Sequence, residues 1–83
     1  MVSMVIEARR LLEGHRAALE QRLRGTGGAA AERELAETNA AIDRIEIGIY
    51  GRCEVCGAAI GRQRLLALPA ARFCLACSPA RRS

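Results

Sequence analysis

Four cysteines in two matched pairs constrain this 83-residue chain more than any other feature. They fall as Cys53-Glu-Val-Cys56 and Cys74-Leu-Ala-Cys77, with seventeen residues between the pairs and no cysteine elsewhere. A C-x-x-C stretch bends into a knuckle that aims two thiolates at one point. Two knuckles supply the four soft ligands that zinc takes in a closed tetrahedral site. Cys53, Cys56, Cys74 and Cys77 are therefore the candidate metal ligands, and one structural Zn2+ is the expected cofactor. A tetrathiolate leaves no open position for water, so the ion is expected to be structural rather than catalytic.

Other uses of paired cysteines fit less well. A disulfide framework needs an oxidising compartment. Here the N-terminus turns charged at Glu7 and Arg9-Arg10 before the apolar stretch of an export signal develops. A reducing cytoplasm is the expected location. A thioredoxin-type redox motif needs one C-x-x-C within βαβ alternation, which the chain lacks. Tetrathiolate iron shares this ligand set with zinc, and spacing alone leaves the two open.

A chain of this length buries little apolar surface, and this one has a single Phe, a single Tyr and no Trp. A metal staple is the expected remedy. No apolar run approaches the roughly 20 residues of a membrane span, so no membrane partner is expected. Residues 1–51 carry seven arginines against eight acids, whereas residues 52–83 carry six against Glu54 alone. The chain has no lysine. A basic C-terminal part suits nucleic acid or an acidic protein surface. A solvated face on an arginine-rich protein is the simpler explanation.

The first half reads as two helices. Val5, Ala8, Leu12, Leu19 and Leu23 share one helical stripe, with His15 in the same row as a partly buried packing residue. Ser3 is the expected N-cap, with Glu7 in the first turns. Gly25-Thr26-Gly27-Gly28 stops this helix, and a second starts near Ala29. Its stripe of Leu35, Thr38, Ile42, Ile45 and Ile49 has the 3-4-3-4 spacing of a coiled-coil seam. Gly51 is the expected left-handed C-cap. The fold class is thus mainly α. Residues 1–51 form an antiparallel coiled-coil hairpin, and residues 52–83 a small treble-clef-like C4 zinc finger. Within the finger, Gly57 is expected at positive φ. Ile60, Leu65, Leu66, Leu68 and Phe73 are expected around the metal, with Pro69 ending any loop helix. The second knuckle should open a short helix that Pro79 cuts off.

The run Ile49-Tyr50-Gly51-Arg52-Cys53-Glu54-Val55-Cys56-Gly57, then Ile60-Gly61, Arg64-Leu65, Pro69 and Cys74-Leu75-Ala76-Cys77, closely resembles the C4 zinc finger of the DksA/TraR family of bacterial transcription regulators. The resemblance covers residues 42–77 and, more weakly, the preceding hairpin. It implies a cytoplasmic zinc protein that binds RNA polymerase without needing promoter DNA. The rod enters the secondary channel, the finger and rod base dock on the rim, and acidic tip residues act on the open promoter complex. Two departures stand out. Family members with a full-length rod carry aspartates in a D-x-x-D-x-A arrangement at the tip. Here the tip is Gly25-Thr26-Gly27-Gly28-Ala29, and the single aspartate is Asp43. Many relatives also place a basic residue before the loop proline, where it helps hold guanosine tetraphosphate; here that residue is Leu68.

The resemblance makes RNA polymerase the expected partner, and a monomer is the expected state. The alternatives are direct nucleic-acid binding through Arg62, Arg64, Arg72, Arg81 and Arg82, and a small protein-interaction adaptor. No nucleophile–base pair, open metal site or phosphate loop is visible, so the chain is not expected to be an enzyme.

Overall fold

The computed structural model describes residues 2–78. Two long helices, α1 (Val2–Arg24) and α2 (Ala29–Glu46), form a hairpin, followed by a short helix α3 (Arg62–Ala67) and a 3-10 turn at Leu75–Cys77. The described residues contain no named strand, only an isolated antiparallel bridge between Arg52 and Ala59. The mainly α expectation holds.

The hairpin turns where its glycines cluster. The Gly25 N–H donates to the carbonyls of Gln21 and Arg22, and the Gly27 N–H reaches back to Arg22 at 2.8 Å. With the Gln21 and Arg22 carbonyls satisfied this way, the chain reverses and α2 starts at Ala29. Arg9 then lies opposite Glu46, joined to it at 2.8 Å, as an antiparallel pairing requires.

The seam follows the stripes. Ala8, Leu12 and Leu19 of α1 are buried with Ala31, Thr38, Ala41 and Ile42 of α2. Val5, Leu23, Leu35 and Ile45 are half-buried along it. Thr38 hides its hydroxyl by donating to the Glu34 carbonyl at 2.8 Å, a local bond open to threonine in mid-helix. Ala31 extends the 3-4 spacing one step towards the tip. With Ala8 and Ala41 it supplies small buried surfaces that a search for large side chains passes over.

Four expectations need correction. Ile49 is outside the seam and 44% exposed. The reason is the end of α2 at Glu46, where the Gly48 N–H bonds to Ile45 and the Ile49 N–H to Arg44. This paired pattern is a Schellman cap, and it needs a left-handed residue that Gly48 provides at φ +82°. The cap is therefore Gly48, not Gly51, and helical spacing lapses before Ile49. His15 is exposed rather than packed, because it borders an open hollow between hairpin and finger. Ser3 lies within α1, which already begins at Val2, so it is not the cap.

Leu12→Ala should cost about 2–5 kcal/mol, since it empties a fully buried site in the hairpin core. Ile49→Ala should cost less than about 0.5 kcal/mol. Denaturant unfolding of the metal-loaded variants checks both, and equal losses would refute this seam.

Candidate metal centre

The chain leaves α2 through Tyr50 and Gly51 and turns sharply to form the first knuckle. The Cys53 N–H donates to Ala58 at 2.8 Å, and the Gly57 N–H returns to Cys53 at 2.9 Å. Gly57 takes φ +76° as expected, a conformation costly for any side chain bearing a Cβ. The Ile60 N–H closes the loop on Gly51 at 2.8 Å, beside the Arg52–Ala59 bridge. The second knuckle is the 3-10 turn, held by the Cys77 N–H on the Cys74 carbonyl at 3.1 Å. This short helical turn meets the expectation; Pro79 lies outside the described residues.

These two turns bring all four sequence-predicted residues together. The sulfur atoms of Cys53, Cys56, Cys74 and Cys77 lie within 4.8 Å of one another. Zinc–sulfur bonds of about 2.3 Å in a tetrahedron put neighbouring sulfurs about 3.8 Å apart. Cys56 Sγ and Cys74 Sγ are 3.8 Å apart. That is far beyond the length of a disulfide, about 2.05 Å. The donor set and spacing fit one tetrahedral ion, and the four cysteines are positioned to bind it.

The thiols are not equivalent. Backbone N–H groups of Cys56 and Cys74 favour the Cys53 thiolate and pull its pKa down to about 6. The Val55 N–H adds a contact at 3.4 Å. Cys77 is pushed up to about 12, first by its hydrogen bond with Cys74 and then by burial and the other sulfurs. Four sulfurs this close cannot all ionise without a cation among them, whereas bound metal takes all four as thiolates.

The comparisons with known proteins agree with this geometry. Residues 48–79 match the family model described as the prokaryotic dksA/traR C4-type zinc finger. Over these residues the C-terminal part is similar to a zinc finger of the dksA/traR type. An uncharacterized protein of Aquifex aeolicus (strain VF5) is 46% identical over 44 residues, 53% of this chain but only 30% of that protein. The structure of the RNA polymerase binding protein and transcriptional regulator Dks from Chlamydia trachomatis L2 (LGV434) is similar, with a TM-score of 0.62. That similarity covers 82% of this chain and 79% of the Dks chain at 24% identity, and so shows a shared fold.

The finger has a small apolar interior here. Cys53, Ile60 and Leu65 are buried together, with Tyr50, Phe73, Cys74 and Cys77 packed around them. Leu66 and Leu68 were expected in this set but are 37% and 52% exposed. α3 turns only Leu65 inward; Leu66 lies on its outer side, and Leu68 follows its last turn.

Polar contacts fix the finger to the rod, and the sequence patterns did not reveal them. Glu54 accepts two hydrogen bonds from Arg72, at 2.9 and 3.1 Å, and lies 3.7 Å from Arg44 of α2. Arg72 first, and Arg44 more weakly, hold the Glu54 carboxyl below its usual 4.5. Arg62 of α3 meets Glu7 of α1 at 3.2 Å. The lone Glu54 among finger arginines was the available signal, but its partners are distant in sequence.

Two outcomes are expected. Purified reduced protein should hold one zinc per chain, and a strong chelator should unfold residues 52–78, with loss of their amide protection in hydrogen exchange. Protection surviving complete metal removal would argue against a structural ion. Glu54 has a lowered pKa, so its contribution exists above pH 4.5 and fades as pH falls through the folded value. Glu54→Gln should therefore cost about 0.5–1 kcal/mol at pH 7 in denaturant titrations, for a partly exposed pair, with the gap closing below pH 4.5.

Proposed function

We propose that this protein is a zinc-dependent transcription modulator that binds bacterial RNA polymerase at the secondary channel, with Cys53, Cys56, Cys74 and Cys77 as the zinc ligands. One observation carries the reading: a finger of the dksA/traR type sits at the base of an antiparallel helical hairpin. The same arrangement occurs in a protein described as polymerase-binding and regulatory. In this reading residues 1–51 are the rod and residues 52–83 the docking finger. The protein works as a monomer in the cytoplasm and catalyses no reaction. No helix among the described residues is long and apolar enough to cross a membrane.

The geometry assigns different tasks to the two ends. α1 has 23 residues and is about 34 Å long. Affinity comes from the broad surface around the finger and rod base. Any effect on the catalytic centre must be carried by the tip, where Thr26 and Ala29 are exposed and no residue from 25 to 29 is charged. The protein therefore docks on polymerase but changes initiation weakly, or differently from relatives with aspartates at the tip.

Association with purified polymerase at micromolar concentration and low salt tests this reading. Cys53→Ser should abolish binding by unfolding the finger. Thr26→Asp with Ala29→Asp should change open-complex lifetime while moving affinity less than about twofold. Absence of binding by the native protein would leave direct nucleic-acid binding as the alternative, recognised by its steep salt dependence.

A further inference from the structure

Two leucines of the finger stand in water where its apolar residues are scarce. Leu68 is 52% exposed and Leu75 57%. They line one shallow groove together with Ile60, Ala67, Arg62 and Arg64, and no acidic residue lines it among the described residues. Neither leucine belongs to the finger's buried cluster: Leu65 fills the interior from α3, and Leu75 lies between two cysteines of the second knuckle. Exposed apolar side chains grouped within a polar rim mark protein contact sites.

The rim sets the chemistry of the partner. Arg64 gives its Nε–H to the Phe73 carbonyl at 3.0 Å, which fixes the guanidinium while leaving its other N–H groups. Arg64 is in no ion pair among the described residues. Among the described residues Arg62 pairs with Glu7 alone, through an exposed pair of small energetic weight. Two positive charges therefore accompany the apolar residues of the groove. A nucleic acid would use the arginines but gain little from two leucines. The chain's aromatic residues, Tyr50 and Phe73, are half-buried and form no exposed stacking platform.

We infer that this groove receives an acidic segment of the polymerase that carries an apolar anchor. Leu68 and Leu75 grip the anchor while Arg62 and Arg64 face its carboxylates. The inference rests on the polymerase reading above and gives its docking surface a location and a chemistry.

The test is a titration of purified bacterial RNA polymerase with zinc-loaded full-length protein at low and moderate salt. Leu68→Ser with Leu75→Ser should weaken binding ten- to hundredfold at unchanged zinc content and melting temperature. Arg62→Gln should weaken it severalfold and flatten its salt dependence. The tip variant Thr26→Asp with Ala29→Asp should bind as the native protein does. Equal affinity of the native protein and the leucine variant overturns this inference and leaves the polymerase reading intact. No binding by the native protein overturns both. Binding to a duplex oligonucleotide that Arg62→Gln abolishes and the leucine variant retains would assign the groove to nucleic acid, again overturning the inference.

Discussion

The finger depends on the convergence of four sulfur atoms. Among residues 52–78 the buried hydrophobic positions are Cys53, Ile60 and Leu65. Ordering each residue costs about 1–2 kcal/mol in backbone entropy, and three buried side chains cannot offset that over such a segment. Binding energy at the sulfurs must supply most of the difference. The knuckle turns at Gly57 and Cys74–Cys77 serve that end by presenting thiolates at tetrahedral spacing. The rod is different in kind. Its buried stripes and local helical contacts hold it through packing, with no need of a cofactor.

Tyr50 joins these two kinds of stability. It packs against the hairpin cluster of Leu12, Ala41 and Ile42 and also against the finger cluster of Cys53, Ile60 and Leu65. Its hydroxyl donates to the Pro69 carbonyl at 2.8 Å, and its pKa is raised by burial. Gly51 follows at φ +89°, where a Cβ would sit 3.4 Å from Leu65 Cδ1. A bulky ring and a bare backbone thus meet at the junction, one filling the space between the clusters and the other letting α3 approach. Glu54 adds a charged tie from the first knuckle to Arg72 and Arg44.

Local rules made much of this legible. The cysteine spacing identified the cluster, the glycines located the hairpin turn, and the 3-4 spacing from Leu35 to Ile45 found the seam. Errors arose where one local signal competed with another. Ile49 continued the apolar periodicity, but Gly48 ended the helix before it. Gly51 looked able to cap, but the hydrogen bonds of Gly48 and Ile49 place the cap at Gly48. His15 fell on the apolar stripe, yet whether that stripe is covered at His15 depends on where the finger sits. The ties of Glu54 to Arg72, Tyr50 to Pro69 and Arg62 to Glu7 join residues 18 to 55 positions apart, beyond the reach of local sequence patterns.

The junction at Tyr50 also gives the protein leverage. With a rod about 34 Å long, a change of only 10° at its base would swing the tip by about 6 Å, a displacement larger than the rise of a helical turn. Small repacking around one tyrosine would therefore be magnified at the far end, while the contacts along the hairpin stayed as they are. What the tip can reach is decided less by the residues it carries than by how firmly Tyr50 and the ion pairs of Glu54 and Arg62 hold the opposite end.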